Sequence, residues 1–182
     1  SMGVRLAKDN IEAVRDADLC VVSTPIEVTP KVLQEIAPEV KEATIVMEIS
    51  SLKSEVIQVL DEIAKRNVKT LSIHPLFGPG AEKLAEEKIV LVPLLEPASE
   101  TRLVRRLFPE ADIIVVEAEE HDRIMALTLS LPHFLNIVFA SVMSEEDLNV
   151  LKKLGGTTFT LQSVISEGVM TEDPRLYASI QM

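Results

Sequence analysis

The sequence predicts an α/β fold, a parallel sheet covered by helices and followed by an all-helical domain, and three observations predict it. Short β-branched runs alternate with amphipathic helical stretches through the first two thirds of the chain. The apolar content, 47% of 182 residues, is mostly Leu, Ile, Val and Ala, with 3% aromatic residues and no Trp, as in helices packed on a parallel sheet. From Glu119 onward the strand signal stops and the chain reads as helix.

Taken in order, Asp9-Asn10-Ile11-Glu12 has capping-box spacing and opens a short helix, followed by a strand from Leu19 to Ser23. Thr29-Pro30 opens the next helix, with Thr29 as N-cap and Pro30 at the first helical position. Ala43 to Ile49 reads as a buried strand, and Ser51 to Arg66 as a helix whose inner face is Leu52, Val56, Val59, Leu60 and Ile63. Strands follow at Thr70 to Ile73, Ile89 to Pro93 and Asp112 to Ala118, with a helix from Ser99 to Leu107 between the last two. A domain boundary near Glu117 to Glu120 divides the chain into residues 3–118 and 119–182. The second part reads as helices from Glu119 to Ser144, Glu145 to Leu154 and Thr157 to Gly168, with a last one begun by Asp173-Pro174.

The first of these helices is apolar around nearly its whole circumference, with Leu127, Leu131, Phe134, Leu135, Val138 and Val142 among its residues. Such a helix must be buried on all sides, and so small a helical domain cannot surround it alone. A homodimer through this domain is therefore expected. The charged start Glu119-Glu120-His121-Asp122-Arg123 and the central Pro132-His133 argue against a membrane-facing helix.

Eighteen basic against twenty-nine acidic residues give a net charge of -11, which repels a nucleic-acid backbone and an anionic membrane alike. The single cysteine, Cys20, lies in the apolar run Leu19-Cys20-Val21-Val22 and reads as a small core residue in a reducing, cytoplasmic setting. No apolar stretch reaches the roughly 20 residues that span a bilayer, and no leader precedes the first motif. Ser1-Met2 reads as an expression scar, and no metal is assigned.

Three strand ends carry the chemistry. The turn Ser23-Thr24-Pro25 follows a strand, where open α/β folds bind ligands. Met47-Glu48-Ile49-Ser50-Ser51 leads into a helix and places hydroxyls at its N-terminus, where backbone N–H groups favour anions; the plainer role for Ser51 is to cap that helix. In Leu71-Ser72-Ile73-His74-Pro75-Leu76-Phe77-Gly78-Pro79-Gly80 a histidine ends a strand before a loop stiffened by two prolines and freed by two glycines. A structural histidine needs no such collar, so His74 is read as catalytic.

The loop His74-Pro75-Leu76-Phe77-Gly78-Pro79 resembles the signature loop of the prephenate and arogenate dehydrogenases, nicotinamide-dependent enzymes of tyrosine biosynthesis. His121-Asp122-Arg123 with Leu131-Pro132-His133 is similar to that family's HD and LPH helix. Glu48-Ile49-Ser50-Ser51-Leu52-Lys53 is similar to its D-x-x-S-x-K segment, and Asp173-Pro174 with Tyr177 to its DP-x-x-Y segment. The matches run in the family's order from Asp18 to the C-terminus.

The resemblance implies a partial Rossmann-like domain binding NAD or NADP through Ser23, Thr24, Pro25 and Ser50, followed by a helical substrate and dimerisation domain. It implies that His74 takes the proton of the substrate's ring hydroxyl and that Ser51 bonds the same hydroxyl and orients His74. His133 is implied to line the pocket, as a donor to substrate or a partner of the loop, with Ser130 beside it. His121 is expected to fix the domain junction. The stretch Gly155 to Gln162 lacks the arginines with which many relatives hold carboxylates, which leaves Thr158, Thr160 and Gln162, and Arg123 seven residues before Ser130, as candidates. The glycine-rich G-x-G-x-x-G turn is absent, and its loss predicts an exposed seam in the sheet and a fragment of a longer product. Two alternatives stand beside the dehydrogenase reading: a hydroxyacid dehydrogenase of related architecture, and an inactive ligand-binding and dimerisation module.

Overall fold

The computed structural model describes residues 3–78, 80–171 and 174–181, without the side chains of 174–177. Pro79, Asp173 and the side chain of Tyr177, which belong to two of the motifs above, lie outside the described residues, as do Ser1, Met2 and Met182. The chain forms two compact units, Ser1–Asp122 and Arg123–Met182.

The first unit is built on five strands, β1 (Leu19–Val22), β2 (Ile45–Glu48), β3 (Lys69–Pro75), β4 (Lys88–Val92) and β5 (Asp112–Val115), which lie side by side in chain order. Pairs β1–β2, β2–β3 and β4–β5 are parallel, while β3–β4 is antiparallel. The parallel-dominated sheet expected from the sequence is present, with β3–β4 as its one antiparallel pair. A parallel return needs a crossover, usually a helix, and between β3 and β4 the described chain offers only the 3-10 turn Leu84–Glu86. Strand β1 forms one edge, and Leu19 and Val21 are exposed on it.

Helices α1 (Asn10–Val14), α2 (Thr29–Ile36), α3 (Ser54–Ala64) and α4 (Pro97–Leu107) cover the sheet. Asp9 caps α1 by accepting the Glu12 N–H at 2.7 Å. Thr29 does not cap α2. The cap position is Val28, already helical, and the Thr29 hydroxyl turns back to the Thr24 and Pro25 carbonyls because residues 26–28 coil before the helix begins.

The side-chain period of two divides the strands between two cores. Val22 and Val46 face Leu33, Ile36, Val56, Leu60 and Ile63 of α2 and α3. Met47, Leu71, Ile73, Ile89 and Leu91 face Val104 of α4. Consecutive residues Val46 and Met47 thus serve opposite layers, which a strand buried on both faces requires.

In the second part of the chain α5 (Ala118–Met125) runs through a π-helical segment (Ala126–Ser130) into α6 (Leu131–Met143). After these come α7 (Leu148–Leu154), α8 (Thr157–Met170) and α9 (Pro174–Gln181). Pro132 has no N–H to give and its ring crowds the preceding turn. The chain adapts by widening, so that the Leu131 N–H reaches back to the Ala126 carbonyl. The expectation that no apolar stretch is long enough to span a bilayer is corrected here. Residues 118–143 form one helix of 26 residues, long and apolar enough to cross a membrane by length and composition alone.

Candidate functional site

The site grows from the face of β3 opposite Leu71 and Ile73. Thr70, Ser72 and His74 share that face by alternation, and all three are buried. The register Val46↔Thr70 and Glu48↔Ser72 places Glu48 on the same face. A polar row therefore ends the α2/α3 core at the carboxyl ends of the strands.

Glu48 and Lys53 are both fully buried, and their charges meet at 2.7 Å. The same carboxylate accepts the Ser72 hydroxyl and, at 2.7 Å, the Ser50 N–H. The Lys53 ammonium also donates to the Ile73 carbonyl at 2.7 Å, immediately before His74. Burial pulls the Lys53 pKa down, while the charges and hydrogen bond of Glu48 and the charge of Asp122 oppose it.

His74 Nδ1 lies 3.1 Å from His121 Nε2, with the rings edge-to-face at 5.2 Å between centroids. His121 Nδ1 lies 2.8 Å from Asp122 Oδ1. Asp122 in turn accepts the N–H groups of Lys53 and Ser54, each at 2.9 Å, and the Ser54 hydroxyl. His74 Nε2 has no hydrogen-bond partner among the described residues, yet it is not sealed from solvent. Burial pushes the His74 pKa down to about 3, helped by the Lys53 charge and His121 and opposed by Asp122. His121 is lowered for the same first reason, with the Asp122 hydrogen bond opposing. Asp122 resists burial and still sits below the usual carboxylate range, because Ser54, His121 and two backbone N–H groups stabilise its charge.

Several expected residues stand elsewhere than the sequence suggested. Ser51 neither caps α3 nor bonds His74. The helix starts at Ser54, its first N–H groups are taken by Asp122, and the half-buried Ser51 has no hydrogen bond among the described residues. The loops Ser23-Thr24-Pro25 and Ser50 are joined through Thr29, whose Oγ1 lies 2.9 Å from that of Thr24 and accepts Ser50 Oγ at 3.3 Å. In the second unit the Ser130 hydroxyl donates to the Ile180 carbonyl at 3.0 Å, and the Gln162 amide donates to Asn136 Oδ1 at 2.7 Å. Those groups are engaged within the unit. Thr158, Thr160 and Arg123 are exposed, and burial lowers the pKa of His133. The π segment between Arg123 and Ser130 breaks the regular α-helical register by which the two would share a face.

Sequence reasoning missed the Glu48–Lys53 latch and the link from Asp122 through His121 to His74. The available signals were a charged residue closing an apolar strand and a carboxylate beside a histidine.

The fit to a nicotinamide dinucleotide is partial. Ser23, Thr24 and Ser50 offer hydroxyls at strand ends, but neither the β1 nor the β2 end carries a glycine to let a pyrophosphate approach the backbone there. Among the described residues no group of three or more His, Cys, Asp or Glu is placed to hold a metal.

A helix-covered, parallel-dominated sheet with its polar groups at the carboxyl strand ends, followed by an all-helical unit, defines the class: an α/β protein of nucleotide-binding fold with a helical C-terminal domain. Residues 1–117 match the family model described as prephenate dehydrogenase, nucleotide-binding domain, and residues 117–182 match prephenate dehydrogenase, dimerization domain. The chain belongs to the prephenate dehydrogenase family. It is 32% identical over 188 residues to a probable arogenate/prephenate dehydrogenase of Methanocaldococcus jannaschii, a match covering 100% of this chain and 42% of the relative. It is 26% identical over 133 residues to a prephenate dehydrogenase of Lactococcus lactis, covering 69% of this chain and 37% of that protein. The chain thus spans less than half the length of these relatives. Among solved structures it resembles Aquifex aeolicus prephenate dehydrogenase in complex with hydroxyphenyl propionate and NAD+ in fold, with a TM-score of 0.74 at 18% identity over 96% of this chain and 64% of that one. Synechocystis arogenate dehydrogenase gives a TM-score of 0.71 at 18% identity, over 96% and 65% of the two chains.

Proposed function

We propose that this chain carries the catalytic residues of a dehydrogenase that oxidatively decarboxylates prephenate, or its amino counterpart arogenate, in tyrosine biosynthesis. The observation that carries this reading is His74: buried, its pKa pushed down by burial, in contact with His121 through Nδ1 and with no partner for Nε2 among the described residues, at the end of a strand in a chain that family models match from end to end.

In this reading Nε2 of neutral His74 accepts the ring hydroxyl of the substrate and takes its proton as the carbon–oxygen bond becomes a carbonyl. A nicotinamide cofactor, when bound, supplies the acceptor for the hydride that leaves the same carbon. The ring carboxylate departs as CO2, its bonding electrons make the ring aromatic, and the phenolate oxygen recovers the proton from His74. The proton is borrowed and returned, so a base of low affinity suffices, provided the imidazolium is stabilised while it exists. Asp122 supplies that stabilisation through His121. In the same reading Ser51 hydrogen-bonds that hydroxyl. His133, Ser130, Arg123, Thr158 and Gln162 are assigned to substrate on the helical unit, and Ser23, Thr24, Pro25 and Ser50 to NAD or NADP. A homodimer through the helical unit and a cytoplasmic location belong to the same proposal.

Formation of reduced nicotinamide from prephenate and from arogenate, with NAD and with NADP, tests it on this chain alone and on a form joined to a glycine-rich nucleotide-binding unit. Turnover by the joined form, lost in His74→Ala, is expected, and a joined form inert toward both substrates removes the reading. The β1 and β2 strand ends, which carry no glycine, favour a second reading, a ligand-binding and dimerisation module without activity of its own. Saturable binding of either cofactor by this chain would sink it.

A further inference from the structure

We infer that His121 and Asp122 are positioning residues that hold His74 in the tautomer with hydrogen on Nδ1, leaving the Nε2 lone pair as the acceptor; their part in turnover rests on the reading of His74 above. Asp122 receives two backbone N–H groups and the Ser54 hydroxyl, the surroundings of an ionised carboxylate, which can only accept. The contact of 2.8 Å to His121 Nδ1 therefore has its hydrogen on the imidazole. A neutral His121 then has a bare Nε2, and the contact of 3.1 Å to His74 Nδ1 must draw its hydrogen from His74. A neutral His74 has nothing left on Nε2. Reversing the His121–His74 bond would need an imidazolium in a buried site that already holds the Lys53 ammonium, and burial disfavours that charge. One direction of donation along the chain remains.

Asp122 also anchors this arrangement in the fold, since the groups it accepts are the first N–H groups of α3. The same carboxylate sets the tautomer of the base and fixes the start of α3, where the buried Lys53 immediately precedes the helix. An amide at this position has one acceptor oxygen, which the α3 N–H groups would claim. Its NH2 would then meet His121 Nδ1 and reverse both rings.

The sequence holds three histidines, so nitrogen-15 spectra of the histidine-labelled chain resolve each ring, with His74→Gln and His133→Gln giving the assignment. At pH 7 the proposal expects His74 and His121 each protonated at Nδ1 and bare at Nε2, without substrate or cofactor present. A hydrogen on His74 Nε2, or a doubly protonated ring at either position, overturns it. In Asp122→Asn both rings should reverse and kcat of the active form should fall on the order of a hundredfold or more, as when a buried carboxylate partner of a catalytic histidine becomes an amide. If that variant loses kcat while His74 keeps its tautomer, the positioning role is overturned. Should the variant fail to fold, the spectrum of the unmodified chain decides by itself. Retained turnover in His74→Ala would instead remove His74 as the base and leave the tautomer result standing.

Discussion

Burial gives the side chains of the site their properties, and it does so with opposite signs. His74 is held neutral by the same low-dielectric surroundings that compel Lys53 and Glu48 to pair. The unfolded chain protonates His74 near its ordinary value of 6.5, whereas the folded chain resists until about 3. The unfolded state therefore binds more protons between those values, so the His74 contribution to stability is full above pH 6.5 and is lost as the pH falls toward 3. Urea denaturation should find the chain about 2 kcal/mol less stable at pH 5 than at pH 7 from this group, with His121 adding in the same direction and His74→Gln removing the first part. For the ion pair, Lys53→Met strands a buried carboxylate and should cost about 3–5 kcal/mol. Glu48→Gln added to Lys53→Met should recover much of that in the same titration, and no recovery would show that the loss has another origin.

The elements were legible wherever local chemistry sets them and displaced where a distant residue does. The short helix α1 begins where Asp9 can cap it, and Pro30 lies in the first turn of α2. Helix α3 starts three residues after Ser51, because its cap is supplied by Asp122, 68 residues further along the chain than Ser54. No local pattern reports such a cap. Pro132 reads in sequence as an interruption, but a widened turn absorbs it and the helix continues. The paired glycines after α7 make a local test. A Cβ at Gly155 would lie 2.3 Å from the Phe159 ring and 2.8 Å from the Leu151 carbonyl, while at Gly156 it meets nothing within 4 Å. Gly155→Ala should destabilise the helical unit by about 1–3 kcal/mol and Gly156→Ala should change it little, read from chemical denaturation of each variant.

For the molecule as a whole, the helical part leaves much of its apolar surface uncovered: Phe134, Leu135, Val142, Leu161, Val164 and Ile165 are each more than half exposed. Apolar area of that kind on a chain of net charge -11 points to an interface more than to random association. Sedimentation should give twice the monomer mass, and Leu161→Glu with Val164→Glu should shift it toward the monomer while leaving the helical signal in place. A monomer at all concentrations for the unaltered chain would contradict the dimer. By itself the sequence determined the succession of strands and helices, because these depend on side-chain period and capping written in neighbouring residues, and its rigid loop singled out His74 as the candidate to test. Tertiary structure alone decided the antiparallel turn of β4, the Glu48–Lys53 latch, the cap on α3 and the path from Asp122 through His121 to His74. Each of these joins groups that meet only once the sheet has formed, and burial then gives their charges and hydrogen bonds weight that solvent would have erased.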